Sequence, residues 1–293
     1  MVNAALANAV ARKNSPKGNG MKAMEGCGLG LRSEFLDEIE ENGFLPDWWE
    51  ITPENWIHMP FHRREKFERA LSLRPCVAHG LSLSIGSTDP LDTSFLHTLK
   101  AFFDRYGIHH YSEHLSFSAL NGAQSYELLP LPMTDKTIHR VVERIKTVQD
   151  VLQRPLILEN ATYYYVPEAS MSESEFIARI LEESGVKMLL DVNNVFVNSV
   201  NHGFDPYAFI DSVDMSRVAY LHVAGHFDDI SSGLLIDTHG RDVCDEVWKL
   251  LRYTLTKRIV PPLLERDNYV PSLADLSQEF TQMKTLYEEV RCG

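Results

Sequence analysis

Nearly every short apolar, β-like run in this chain of 293 residues ends on an acidic or imidazole side chain. Val77-Ala78-His79, Tyr111-Ser112-Glu113-His114, Leu156-Ile157-Leu158-Glu159, Leu189-Leu190-Asp191, Tyr220-Leu221-His222 and Leu263-Leu264-Glu265 share the pattern. One such ending is commonly a hydrogen-bonded core residue. A whole series points to the C-terminal rim of a parallel barrel, where side chains from separate strands converge on one pocket.

The rest of the chain agrees with that geometry. Strands are expected near 27–31, 47–51, 76–80, 109–114, 155–159, 187–191, 218–222 and 262–265. Between them lie amphipathic segments at Phe35–Glu41, Phe95–Tyr106, Ile138–Leu152, Glu175–Ser184, Val243–Leu255 and Leu273–Tyr287. Ser33, Thr93, Ser172 and Ser272 offer helix starts, and Gly43, Gly107 and Gly185 offer stops. Eight β/α alternations without an internal repeat predict an α/β protein, a (β/α)8 TIM barrel filling residues 26–293. Residues 1–25 read as a mobile tail, with Met21 an alternative start. The string Gly26-Cys27-Gly28-Leu29-Gly30 superficially resembles a phosphate-binding loop, but its glycines fall inside a strand and no GxGxxG follows. Two long connections, Leu115–Lys136 with an Asn121-Gly122 hairpin signal and Val223–Gly240, are expected to shape the substrate side.

Charge and cysteine usage narrow the function. The formal net charge of −13, without a Lys/Arg-rich run, argues against a nucleic-acid partner. Cys27, Cys76, Cys244 and Cys292 are scattered without a CxxC pair, which suits a reducing, cytoplasmic compartment. No apolar stretch reaches the roughly 18–20 residues of a membrane span.

The strand-end residues offer a thiolate-free nitrogen and oxygen ligand set. His79, His114 and Glu159 can serve one ion. Glu159, Asp191, His222 and Glu265 can serve a second, with Glu159 bridging. Asp237 and His239, at alternate spacing in what would be an extended segment, can form a third site with Asn194. Glu159, Asp191 and His226 are the candidates for catalysis, His226 also as an extra ligand or proton donor. His97 and His139 fall on helix surfaces. These residue types suit zinc hydrolysis, magnesium- or manganese-dependent sugar isomerisation, or dioxygen activation at iron, and leave the three open. A non-enzymatic metal-binding assembly subunit would use the same residues.

The strings CVAHGLSLSIGS (76–87), YSEHLSFS (111–118), LLPLPMT (128–134), LILENATYY (156–164), LLDVNNVFVN (189–198), NHGFDP (201–206), HVAGH (222–226), LIDTHGRDV (235–243) and LLERD (263–267) resemble the multinuclear non-haem iron-dependent oxidases of the MbnB and TglH type. The resemblance runs from about Gly26 to Asp267. It implies a barrel like that of xylose isomerase, and two or three irons with a mixed-valent Fe(II)/Fe(III) pair. The ligands it implies are His79, His114, Glu159, Asp191, His222, Asp237, His239 and Glu265, with Asn194 less firmly matched. It further implies four-electron oxidation by O2 of a cysteine in a ribosomally made precursor peptide, by β-carbon excision or oxazolone/thioamide formation. A partner protein that captures the leader segment is implied too, although no stretch of sequence singles out its docking surface. One departure is Tyr163, in Ala161-Thr162-Tyr163-Tyr164, which is expected to reshape the pocket wall beside Glu159.

Around the ligands, Arg32 is expected either to hold a substrate carboxylate or to form a surface salt bridge. Glu50 and Asn55 are expected to orient ligand imidazoles. Glu113, Asn160 and Asn193 stand beside presumed ligands and are assigned to orienting them, Asn160 and Asn193 also to binding substrate. Tyr163, Tyr164 and Tyr165 are pocket-lining or packing aromatics.

Overall fold

The computed structural model describes residues 24–293, and all but the last two residues of the expected tail lie outside that range. All eight expected strands are present. They are β1 (Gly28–Gly30), β2 (Trp48–Ile51), β3 (Cys76–Gly80), β4 (Tyr111–His114), β7 (Leu156–Glu159), β8 (Lys187–Asp191), β9 (Val218–Val223) and β12 (Pro262–Leu264). They close into one parallel barrel in the order β1-β12-β9-β8-β7-β4-β3-β2. The two long connections each fold into a hairpin above the C-terminal rim: β5 (Phe117–Leu120) with β6 (Ala123–Leu129), and β10 (Phe227–Asp229) with β11 (Leu234–Ile236). Asn121 and Gly122 turn the first hairpin, with φ of 53° and 75°, the left-handed pair that a tight two-residue turn requires.

Helices α1 (Glu38–Asn42), α2 (Glu54–Ile57), α3 (Phe61–Leu73), α4 (Thr93–Tyr106), α5 (Asp135–Leu152), α6 (Glu173–Ser184), α7 (Val192–His202), α8 (Pro206–Ser212), α9 (Asp245–Lys257) and α10 (Leu273–Cys292) lie between strands or after the last one. Ser172 and Ser272 cap α6 and α10 as expected, accepting from the amides three residues on. Two caps differ. Asp92, not Thr93, caps α4 by accepting from the Ser94 and Phe95 amides, because a carboxylate is the stronger acceptor for helix N–H groups. Ser33 opens only a single 3-10 turn and makes no cap bond. Helix α3 escapes the apolar pattern because only Phe67 and Ala70 of its 13 residues are buried. Helix α7 escapes it because Asp191 is both the last residue of β8 and the α7 cap, leaving no linker to mark a boundary. No helix among the described residues is long and apolar enough to cross a membrane.

The barrel interior is layered. Alternate strand residues face inward, so a residue two positions before each acidic or imidazole strand-end residue lies one layer down. Trp48, Val77, Ile157, Leu189, Tyr220 and Leu263 form that layer as a separate apolar cluster, against which Met24 packs. They stand two positions before Glu50, His79, Glu159, Asp191, His222 and Glu265. Strand β1 contributes glycines because two large groups need its space. A Cβ at Gly28 would lie 2.6 Å from the Trp48 ring, and one at Gly30 would lie 3.0 Å from the Arg32 guanidinium. The Gly-rich string therefore makes room inside the barrel.

Candidate metal centre

The strand ends bring the expected ligands into one buried cluster. His79 Nε2 and His114 Nε2 stand 3.2 Å apart, each 3.1 Å from Glu159 Oε2. The other oxygen, Glu159 Oε1, is 3.3 Å from His222 Nδ1, which is 2.9 Å from Glu265 Oε2 and 3.9 Å from Asp191 Oδ2. His239 continues the series, with Nδ1 3.2 Å from Glu265 Oε2 and Nε2 2.8 Å from Asp237 Oδ1 and 3.9 Å from Asp191 Oδ2. Three overlapping groups can each converge on one ion: His79, Glu159 and His222; Glu50, His222 and Glu265; Asp191, His239 and Glu265. Asp237 and His239 meet through a bend, His239 having φ of 45°, where an extended segment was expected.

Hydrogen bonds beneath the cluster determine which imidazole nitrogen faces it. The Tyr220 hydroxyl donates to Glu50 Oε2 at 2.7 Å, so its oxygen accepts from Ser112 Oγ, 2.6 Å away. Ser112 must then accept from His79 Nδ1 at 2.8 Å, which leaves the His79 Nε2 lone pair pointing at Glu159. His114 Nδ1 faces the Gly80 carbonyl at 3.1 Å, an acceptor only, so its Nε2 is free as well. Glu50 Oε1 stands 2.9 Å from His222 Nε2 without a hydrogen bond between them, and His222 Nδ1 faces the carboxylates. Asp267 Oδ2 holds His239 Nδ1 at 3.3 Å. Polar partners of this kind orient and strengthen metal-binding imidazoles.

The cluster requires positive charge. Burial alone would push His114 down, but the Glu159 carboxylate, with Glu113, raises it to about 9. Against the same burial His79 is raised by Glu159, His222 well raised by Glu265 and Glu50, and His239 well raised by Asp237 and Glu265. Burial opposes ionisation of Glu159 and Glu265, yet the facing imidazoles hold both well below the usual carboxylate range. Asp191, buried and beside the Glu159 charge, is pushed up to about 7. Either protons or metal cations must supply the balancing charge. Cations fit better, because Glu159 Oε2, Asp191 Oδ2, His222 Nδ1 and His239 Nε2 are buried without a hydrogen-bond partner. Such atoms are costly unless something coordinates them.

A cavity of about 490 Å³ opens onto the cluster, lined by His79, His114, Asp237, His239 and Glu265 on the ligand side. Asn194 lines it too, but its side chain already accepts from Thr162 and donates to the Asn160 carbonyl. Arg32 lines it with its donors directed to Glu265, Asp267 and the Arg266 carbonyl. Arg32 thus forms ion pairs with carboxylates of the protein, the salt-bridge alternative of the two expected, although the pair with Glu265 is largely buried rather than on the surface. Asn160 and Asn193, expected to touch substrate, are engaged within the protein. Asn160 makes two bonds to the Asp191 backbone, clamping β7 to β8. Asn193 donates to Asp237 Oδ1 at 2.9 Å and contacts His226 Nδ1 at 2.8 Å. His226, expected to act in catalysis, does not line the cavity. The chain turns away after Val223, and Gly225 packs so tightly on Arg241 that a Cβ would meet its carbonyl oxygen at 2.1 Å. His226 reaches the site only through Asn193.

Other side chains resolve similarly. Asn55 is exposed at the cavity mouth rather than beside an imidazole. Glu113 accepts from the amides of His114 and Leu83 and also stands 3.4 Å from His114 Nδ1, beside the imidazole it was expected to orient. Tyr163 does not reshape the wall beside Glu159. Its ring stacks on His202 at 4.3 Å and its hydroxyl donates to Glu173, while His202 Nε2 donates to the Tyr163 carbonyl. Ser112, Tyr220 and Asp267 were not foreseen. Ser112 and Tyr220 stand two residues before His114 and His222, so strand alternation could have found them.

Fold and site together define a xylose-isomerase-like TIM barrel with a His/carboxylate cluster at its C-terminal end. Solved structures with the same fold include a D-tagatose 3-epimerase-like protein (TM-score 0.61, 11% identity, 91% of this chain and 98% of that one). Endonuclease IV from Thermus thermophilus is another (TM-score 0.59, 16% identity, 90% of this chain and all of that one). Residues 26–288 match the RiPP precursor modification enzymes MbnB/TglH/ChrH, where RiPP denotes a ribosomally made, post-translationally modified peptide, and the chain belongs to that family. Its relatives include a UPF0276 protein of Acinetobacter baylyi, 45% identical over 92% of this chain and 93% of the relative. A UPF0276 protein of Pseudomonas aeruginosa is 43% identical over 90% and 93%.

Proposed function

We propose that this protein is a cytoplasmic, O2-dependent multinuclear non-haem iron oxidase. Its substrate is a cysteine residue of a ribosomally made precursor peptide, delivered by a leader-binding partner protein, and the outcome is β-carbon excision or oxazolone/thioamide formation. Family membership supports the substrate class. The observation that carries the metal reading is the line of buried, unpartnered lone-pair atoms running from Glu159 to His239.

In this reading His79, His114 and Glu159 hold one ion, and Glu159, Asp191, His222 and Glu265 hold a second. Asp237 and His239 complete a third position, with Asn194 as a neighbour. Iron bound there supplies one-electron redox capacity and coordination positions for a thiolate and dioxygen. The protein's own residues present lone pairs at fixed tautomers, neutralise Glu265 and Asp267 through Arg32, and exclude water beneath the site with the apolar layer. No lysine is among the described residues lining the cavity, which weighs against sugar isomerisation.

The test is metal quantification and Mössbauer spectroscopy on protein purified anaerobically from iron-supplemented cells. Two to three irons per chain with a coupled Fe(II)/Fe(III) component are expected. Stoichiometric zinc or manganese that persists despite iron supply would overturn the oxidase.

A further inference from the structure

The cavity wall carries two guanidinium groups, Arg32 and Arg63, in opposite situations. Arg32 is held by Glu265, Asp267 and a backbone carbonyl. Arg63 is partly buried and has no ion pair or side-chain hydrogen bond among the described residues. It sits in the first turn of α3, on the connection that follows β2. In the barrel order β2 lies diametrically across from β8, which carries Asp191. The cavity therefore combines carboxylates of the candidate metal cluster, Asp237 and Glu265, with one cation whose donors are free among the described residues. Asn55, on the same connection, adds an exposed side-chain amide to the cavity wall.

An arginine in a concave site, unpaired by the protein, is suited to a planar anion from outside. Its fork of N–H donors matches a carboxylate with two parallel bonds. We propose that Arg63 is the substrate-anchoring residue of this cavity and that it binds a carboxylate of the substrate, holding that group in the cavity onto which the metal cluster opens. That the carboxylate belongs to a peptide rests on the function proposed above; the anion site itself does not. The carboxylate comes either from the peptide's C-terminus or from an acidic side chain next to the reacting residue, and the experiment separates the two.

Metal-depleted protein and thiol-free probes keep metal ligation out of the measurement. N-acetyl-Gly-Ser with a free C-terminus, its C-terminal amide, and N-acetyl-Asp-Ser amide would be compared by saturation-transfer NMR titration against wild type, Arg63→Gln and Arg63→Lys. A carboxylate-bearing probe should bind wild type about tenfold more tightly than the uncharged amide. That ratio should fall to about one in Arg63→Gln and be partly kept in Arg63→Lys, which retains charge without the fork. Preference for the free C-terminus identifies a terminal carboxylate, and preference for the aspartate probe identifies a side-chain one. Equal binding of the three probes, binding of none, or a preference that survives Arg63→Gln overturns the anchor. Iron content measured on the same preparations before metal depletion shows separately whether the metal reading stands.

Discussion

The Tyr220 hydroxyl donates to Glu50 Oε2 at 2.7 Å, joining two strands three places apart around the barrel and setting the proton arrangement of the cluster above. Through Ser112 it reaches His79, and through Glu50 it reaches His222. The chain thereby fixes His79 to present Nε2 and sets Glu50 beside His222.

Tyr220→Phe should break that chain with little change in volume. Metal affinity should fall by about 10–100-fold, the usual effect of removing a group that orients a ligand. Competition against a calibrated chelator measures it. Leaving Glu50 and Ser112 short of a partner should also cost about 1–3 kcal/mol in denaturant unfolding. Unchanged metal affinity would show that His79 and His222 are oriented without the chain.

Glu159→Ala removes the one carboxylate that touches His79, His114 and His222 together. Metal content should drop and the signature of coupled ions should vanish, read by elemental analysis with Mössbauer or EPR spectroscopy. Two coupled ions surviving in that variant would refute the bridging role.

Gly225→Ala tests how the rim is assembled. The new methyl would meet the Arg241 carbonyl at 2.1 Å, so the segment leading back to His239 must move. Overpacking of this kind costs about 1–3 kcal/mol. Metal titration should show the Asp237/His239 end weakened while the His79/His114 end, built on other strands, is retained.

Glu173 gives a pH test remote from the metals. Burial raises it to about 7, opposed only partly by the Tyr163 hydroxyl. The fold favours its neutral form, so this stabilisation is complete below the unfolded value near 4.5 and is lost as pH rises through about 7. At roughly 1.4 kcal/mol per unit, and with a partly exposed side chain, the effect is on the order of 1–3 kcal/mol. Chelated protein should lose that much stability between about pH 5 and 8 in denaturant titrations. Glu173→Gln should flatten the profile, and an unchanged slope would assign it to other groups.

Strand positions and the acidic or imidazole residues that close them were legible because both are local. An apolar run of four or five residues ending on His, Asp or Glu needs no knowledge of its partners, and the barrel follows from eight such runs separated by helical patterns. Asp237 and His239 were readable for the same reason, although the bend that joins them was not. His226, Asn160 and Asn193 were misplaced because adjacency to a ligand along the chain does not set direction. One residue beyond a strand end the backbone has turned, and such side chains go to neighbouring strands and loops.

The chain by itself therefore determined the barrel and which acidic and imidazole residues end its strands, both properties of short segments. The pairing of partners decided the rest: which nitrogen each imidazole turns inward, which arginine is engaged and which is free, and where Tyr163 and His202 meet. Those outcomes depend on hydrogen bonds between residues as far as 170 positions apart for Tyr220 and Glu50 and 235 for Arg32 and Asp267, and such distances close only when the barrel does.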